Sequence, residues 1–402
     1  VTLKTIWNWS FETSLWLLAA AWFWQVWLCF RHLPELANLI QVDLPNLPTP
    51  ENLRPQMTVI VPACNEQGSI EATLQSLLAS VEIRLQIIAV NDRSTDGTAK
   101  AMEKIAVQAR NQNLNQSMQI IHIKKLASGW LGKPHALAVA AHSAEAEWIL
   151  FTDGDVLFAP DALSRALRYA IAEQADHLVV MPDWVSESFG ESAMHGAMHA
   201  LTTWKSRLWQ VADPDRPDFL GVGAFNLVRR EVYEKLGGFR ALRMEVLEDL
   251  RFGWMVKRAG FRQQVALGSG LVSVRWAHGA WGVVLNLEKN LFALHRYNTA
   301  LTLLTCTGLA VQIVWPLAGL FVGGWAQGGA LLTYAAIAAV YFVCRRVTRV
   351  SPVYALFFPV AIGLFLFAMV RSMTLALVRG GVMWRGTAYS LKDLRAHAGR
   401  FW

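Results

Sequence analysis

The sequence predicts an α/β domain with a mostly parallel sheet, joined to α-helical transmembrane segments. Short apolar runs alternate with helix-like segments from about residue 57 to residue 181, the pattern of a sheet covered by helices on both faces. Long stretches with no charged residue flank that block, each able to span a hydrocarbon layer. Carboxylate-rich sequence follows three of the short apolar runs at their carboxyl ends, where open α/β sheets bind ligands.

Composition narrows the classes further. Of 402 residues, 54% are hydrophobic and 17% charged, against about 25% charged in ordinary soluble domains. A wholly aqueous protein is disfavoured, and a disordered one is excluded. Four cysteines without a CxxC pair make neither a disulfide framework nor a zinc motif. The net charge is +7, and it gathers beside the apolar runs, which favours lipid headgroups over nucleic acid as partner.

The first apolar run, Thr13 to Phe30, holds Trp16, Trp22, Trp24 and Trp27. One basic residue, Lys4, precedes it and no small-residue cleavage site follows, so it reads as an anchor rather than a signal peptide. Pro45, Pro48, Pro50 and Pro55 then form a stiff linker. Strands are expected at 57–61, 85–90, 118–123, 148–152 and 177–181, with helices near 69–80, 96–110, 133–145 and 160–173. A second uncharged run of 48 residues, Tyr297 to Cys344, is long enough for two spans turning at Gly323-Gly324 or at Gln327-Gly328-Gly329. A third, Val350 to Val370, completes an expected count of four. The loop Arg345, Arg346, Arg349 and the tail after Val370 are both basic with one run between them. Either the last run is re-entrant or interfacial, or one basic cluster faces outward.

The residues after the strands carry the chemistry. Pro62-Ala-Cys-Asn65-Glu66 follows the first strand, Asn91-Asp92 through Thr98 the second, and Asp153-Gly154-Asp155 the fourth. Two carboxylates at i and i+2 past a buried strand can share a hard divalent cation that keeps positions for phosphate oxygens. Asp-Gly pairs also fill ordinary turns, but the strand-end placement beside the Asp92 loop favours the site. Asp96 reads as a helix cap, which leaves Asp92 to accept hydrogen bonds from a nucleobase or ribose. Lys133, in Gly129-Trp-Leu-Gly132-Lys133 entering a helix, suits a diphosphate, although no GxxxxGK[ST] motif is present. Glu248 and Asp249 open another helix; they suit its positive end or serve as a general base toward an acceptor hydroxyl. The preceding Gly221-Val-Gly223 turn would let a ligand approach closely.

In this order, Val61-Pro-Ala-Cys-Asn-Glu66, Val90-Asn-Asp-Arg-Ser-Thr-Asp-Gly-Thr98, Asp153-Gly-Asp155 and Glu248-Asp249 resemble family 2 inverting glycosyltransferases with a GT-A fold. The anchors and the segment Arg379 to Tyr389 are similar to membrane-bound members that glycosylate lipids, the ceramide glucosyltransferase-like and carotenoid- or hopanoid-associated enzymes. The resemblance implies a nucleotide-diphospho-sugar donor, foremost a UDP-sugar, and a divalent cation, Mg²⁺ or Mn²⁺. Pro62, Asn65, Glu66 and Asp92 would hold base and ribose, with Lys133 near the diphosphate. Asp155, assisted by Asp153, would bind the metal, and Asp249 would be the base with Glu248 beside it. The family's (Q/R)xxRW signature is altered here to Ala293-Leu-His295-Arg296-Tyr297. Arg296 either still touches phosphate or marks the membrane boundary.

The resemblance implies a non-processive transfer of one sugar to a membrane lipid, with a processive polysaccharide synthase of the same family as the alternative. A transporter is disfavoured because the four expected spans hold no Asp, Glu, Lys, Arg or His. Met194, His195, Met198, His199, Trp204 and Trp209 suit an interfacial helix or ordinary packing, and Trp276, His278, Trp281 and the 286–297 stretch suit a second such element or protein core. The expected divisions are an anchor at 1–33, a linker at 34–56, the transferase domain at 57–298, helices at 299–378 and a basic tail at 379–402. The protein is expected in a bacterial-type inner or plasma membrane with its transferase domain in the cytoplasm, where nucleotide sugars are made.

Overall fold

The computed structural model describes residues 3–45, 54–111 and 116–399; Pro48 and Pro50 of the expected linker lie outside them. The chain divides into two compact units. One joins Leu36–Val185, Leu208–Trp276 and Met383–Trp402; the other joins Val1–Glu35, Ser186–Arg207 and Ala277–Val382.

The first unit is built on β1 (Met57–Ala63), β2 (Leu85–Asp92), β3 (Ser117–Ile123), β4 (Trp148–Phe151), β5 (Val156–Phe158), β6 (His177–Met181), β7 (Asp183–Trp184), β8 (Asn226–Arg229), β9 (Gln263–Leu267) and β10 (Val272–Val274). Seven strands form one sheet in the order β3-β2-β1-β4-β8-β6-β9, and β5-β10-β7 form a small second one. All neighbours in the large sheet are parallel except β8, which runs antiparallel to both β4 and β6.

Period-two alternation explains the two layers. Met57, Val59, Val61, Leu85, Ile87, Ala89, Trp148 and Leu150 pack into one core with Ile70, Leu74 and Leu77 of the helix Ile70–Leu78. Ile60, Ile88, Val90, Ile149 and Phe151 pack into the opposite core. There they meet Ala136 and Leu137 of the helix Gly132–Ala141, and Phe252 and Val256 of the helix Glu248–Arg258. Every residue of β1 and β2 is buried, as expected for strands covered on both faces. At the sheet edge, β3 is only partly covered.

Register fixes the functional edge. Ile60 of β1 pairs with Phe151, the last residue of β4, and Ala63 pairs with Asn91 near the end of β2. The chain therefore leaves the sheet on the same side three times, into Cys64-Asn65-Glu66, Asp92-Arg93 and Asp153-Gly154-Asp155. Pro62 lies beyond the last β4 pair, a place where a missing N–H is tolerated in a strand.

Among the described residues, the second unit contains four helices apolar and long enough to cross a membrane, Trp9–Glu35, Thr299–Val322, Gly324–Thr348 and Pro352–Val378. The turn of the long uncharged run falls at Gly323 and Gly324, whose φ angles are 82° and 56°, left-handed values that favour glycine. Gln327 and Gly328 lie inside the following helix. Two indoles find acceptors within the unit: the buried Trp22 donates from Nε1 to Gln312 Oε1 and the half-buried Trp315 from Nε1 to Ser14 Oγ, both at 2.8 Å. Phe358–Val378 is one unbroken helix. Near its end, Arg371 and Arg379 pair with Glu288 at 3.0 and 3.3 Å, so part of the basic charge that complicated the topology is neutralised internally. The helices Phe189–Thr202 and Gly279–Glu288 also belong here. Met194 and His195 are buried, and Ser186 Oγ lies 2.9 Å from His195 Nδ1, which accounts for these residues by packing.

Candidate active site

Asp92 ends β2 and is 1% exposed. Both its oxygens accept from the adjacent Arg93 guanidinium, Nε at 2.7 Å and Nη2 at 2.9 Å, a bidentate pair. The expected free carboxylate is thus engaged already, and Arg93, unremarked in the sequence, is the group that holds it. Asn65 has a φ of 59°, which asparagine tolerates better than most residues. Its Oδ1 accepts from Thr95 N–H at 2.8 Å and its own N–H donates to Ser94 Oγ at 3.1 Å. Asn65 therefore ties the loops after β1 and β2 together. Asp96 caps the helix Thr98–Asn111, its Oδ1 accepting from Thr98 N–H at 3.0 Å, while Oδ2 accepts from Gln67 N–H at 3.2 Å. Asp96→Ala is expected to cost about 1 kcal/mol, read as a lower thermal midpoint with an otherwise unchanged unfolding curve.

Lys133 lies in the first turn of the helix Gly132–Ala141. Its Nζ binds Asp153 Oδ1 at 2.7 Å and Glu248 Oε1 at 2.8 Å, joining the loop after β4 to the start of the helix Glu248–Arg258. A Cβ on Gly132 would stand 2.6 Å from Arg93 Nη2 and 2.7 Å from Asp92 Oδ2, so the Asp92–Arg93 pair sits against the residue preceding Lys133. A Cβ on Gly223 would stand 2.6 Å from Asp153 Oδ2, 3.0 Å from Lys133 Nζ and 3.3 Å from Asp249 Oδ2. Three groups far apart in sequence therefore converge on one point above a glycine backbone.

The expected use of Gly221 is corrected. A Cβ there would lie 1.8 Å from the Asp249 carbonyl oxygen, and one on Gly253 1.8 Å from the Leu220 carbonyl oxygen. The missing side chains admit the backbone of the helix that carries Asp249, not a ligand. This backbone-to-backbone packing sets Asp249 in place.

Charge is unbalanced at this edge. Glu66, Asp92, Asp153, Asp155, Glu248 and Asp249 meet Arg93, Lys133 and Arg385, six carboxylates against three cations. Burial, then the charges of Asp153 and Glu66, pushes Asp155 up to about 7. Burial, then Glu248, pushes Asp249 up to about 6 against the opposing pull of Lys133. Burial also raises Glu66, opposed by Arg385. For Lys133 burial alone would favour the neutral amine, but Asp153, Glu248 and Asp249 outweigh it and hold the ammonium above its usual range.

The segment expected as a basic tail is folded. Gly381–Trp384 (β11) and Thr387–Ser390 (β12) form a hairpin, followed by the short helix Leu391–His397. Arg385 Nη2 reaches Glu66 Oε1 at 3.1 Å, and Arg93 Nη1 donates to Thr387 Oγ1 at 3.2 Å. The available signal was Trp384-Arg385-Gly386-Thr387, a two-residue turn ending in glycine between strand-like residues. Arg296 belongs to the helical unit, where it and Tyr297 take left-handed φ angles of 55° and 56° after the helix Asn290–Leu294.

A mostly parallel α/β sheet whose strand ends gather carboxylates on one edge is a GT-A-like domain, here accompanied by four candidate membrane helices. Residues 58–237 match the family model described as Glycosyl transferase family 2. The Bacillus subtilis (strain 168) protein named as a teichuronic acid biosynthesis glycosyltransferase, TuaG, is 24% identical over 118 residues, which are 29% of this chain and 43% of that relative. The chain therefore matches less than half the length of this curated relative. Mannosyltransferase PcManGT from Pyrobaculum calidifontis, solved in complex with GDP-Man and Mn²⁺, has a TM-score of 0.52 at 19% identity and covers 90% of this chain and 99% of its own. At that identity the likeness is one of fold. S. aureus TarS 1-349 in complex with UDP-GlcNAc has a TM-score of 0.39 at 17% identity, over 83% of this chain and 95% of its own.

Proposed function

We propose that the protein transfers a sugar from a nucleotide-diphospho-sugar to the hydroxyl of a membrane lipid, one sugar per acceptor, with inversion at the anomeric carbon. The observation that carries the reading is the convergence of Asp153, Lys133 and Asp249 above Gly223, together with an Asp249 carboxyl raised to about 6. A base in that range is ionised at neutral pH yet basic enough to take a proton in the transition state.

Asp249 would remove the acceptor hydroxyl proton as the oxygen attacks the anomeric carbon opposite the leaving diphosphate. Lys133 keeps Glu248 and Asp153 in place and lowers the proton affinity of Asp249. Pro62, Asn65, Glu66 and Asp92 shape the pocket for base and ribose, with Asn65 and Asp92 fixing its walls through Thr95 and Arg93.

A divalent cation suits this edge, because the carboxylates outnumber the cations and Asp155 is held up near 7 by its neighbours. Among the described residues no group of three or more His, Cys, Asp or Glu side chains forms a ligand set. Asp155 and Asp153 would hold the ion, leaving its other positions to diphosphate and water. When bound, such an ion neutralises charge on the departing nucleoside diphosphate.

The deciding experiment incubates purified protein with a panel of UDP- and GDP-sugars, Mn²⁺ or Mg²⁺ and a membrane lipid extract, followed by mass spectrometry of the lipids. A mass gain of one hexose on a lipid supports the reading. Polymer would favour the processive alternative, and unchanged lipid with every donor would remove the lipid acceptor. The four candidate spans and the cytoplasmic origin of nucleotide sugars support a transferase unit facing the cytoplasm. Protease added outside sealed right-side-out vesicles is then expected to leave residues 57–185 intact; cleavage there would reverse the orientation.

A further inference from the structure

The three cations at the carboxylate edge are not equivalent. Lys133 is bound by two carboxylates, and the Arg93 fork is filled by Asp92 on one side and Thr387 on the other. Arg385 is joined to Glu66 through Nη2 alone among the described residues, leaving donors of its guanidinium for another anion. Glu66 in turn lies against the metal-site turn, since a Cβ on Gly154 would be 3.6 Å from Glu66 Cγ.

Backbone geometry points the same way. Arg385 and Gly386 form the tip of the β11–β12 hairpin with φ angles of 47° and 76°. Such a two-residue turn is normally Asn-Gly or Asp-Gly, because both central residues need positive φ. A long, β-carbon-bearing arginine there is strained, and residues kept in such conformations cluster at ligand clamps. The guanidinium, not the turn, is what this position requires. It is held at 27% side-chain exposure, within reach of solvent-borne ligand.

We propose that Arg385 binds the diphosphate of the donor nucleotide, exchanging its Glu66 contact for phosphate oxygens, and that the β11–β12 hairpin is thereby part of the donor site. The inference rests on the donor reading given above. Arginine's planar fork suits bridging phosphate oxygens, and the Arg93–Thr387 bond couples the same hairpin to the Asp92 loop.

The test is calorimetric titration of the full-length protein in detergent with UDP and GDP, each with Mn²⁺, and with UMP and GMP. If the parent protein binds neither diphosphate, the donor reading itself fails. If it binds one, Arg385→Ala is expected to weaken that diphosphate about ten- to a hundredfold, the loss of one charge-assisted contact. The matching monophosphate should change less than about threefold, and Arg385→Lys should recover part of the loss. Equal weakening of mono- and diphosphate would make Arg385 only a structural tie of the hairpin to Glu66. An unchanged diphosphate affinity in a folded Arg385→Ala protein would overturn the proposal outright.

Discussion

Asp249→Asn is expected to lower the transfer rate by about 100- to 10,000-fold, the usual contribution of a positioned general base, with nucleotide binding close to that of the parent. Stability should move the other way. Asp249 rises from 3.8 to about 6 on folding, so above pH 6 the fold carries a carboxylate that would rather be protonated. Asparagine removes that penalty. The Asp249→Asn protein should therefore melt at or above the parent temperature at pH 8, and this advantage should fade as pH falls through about 6 toward 3.8, because the folded carboxyl is then protonated while the unfolded one only reaches its own midpoint. The parent should lose activity as pH drops through about 6, because Asp249, the proposed base, is then neutral. Full activity in Asp249→Asn, measured on the lipid product, would exclude it as the base.

Lys133→Met should damage both fold and chemistry. Lys133 Nζ is the shared partner of Asp153 and Glu248, and Glu248 is 3% exposed. Removing one member of a buried ion pair typically costs about 3–5 kcal/mol because the remaining charge is stranded. Here roughly 3 kcal/mol is expected, since the Asp153 side chain keeps 36% exposure and water can answer part of its charge. Lys133 also lowers the proton affinity of Asp249, so the acid limb of the pH–rate profile should move to higher pH in whatever activity survives. Denaturant unfolding and a pH series on the same preparation read both effects. An unmoved acid limb would separate Lys133 from the base electrostatically.

Much of this was legible in the chain itself. The buried strands β1, β2, β4 and β6 announce themselves as short apolar runs because both faces are covered, and the helices between them start and stop near the expected residues. Short or polar pairings were not legible. The strands β5, β7 and β10 have three, two and three residues, too few for a period. β9 opens with Gln263, whose side chain binds the buried His177 and the Leu220 carbonyl, so a polar residue fills a core position that hydropathy assigns to solvent. The β11–β12 hairpin looked like a basic tail because its partners, Glu66 and Arg93, lie about three hundred residues away.

The sequence by itself determined the sheet-and-span architecture, the carboxylate-bearing strand ends and the identity of Asp92, Asp153, Asp155 and Asp249 as candidates. Those follow from local periodicity and from side chains placed where a strand must end. Tertiary structure alone decided which groups meet: that Lys133 is shared between Asp153 and Glu248, that Arg93 occupies Asp92, that Gly221 admits a helix backbone, and that Arg385 returns to the loop after the first strand. Pairing energies fall steeply with distance and burial, and neither quantity is written along a chain; both exist only once the sheet has brought its ends together.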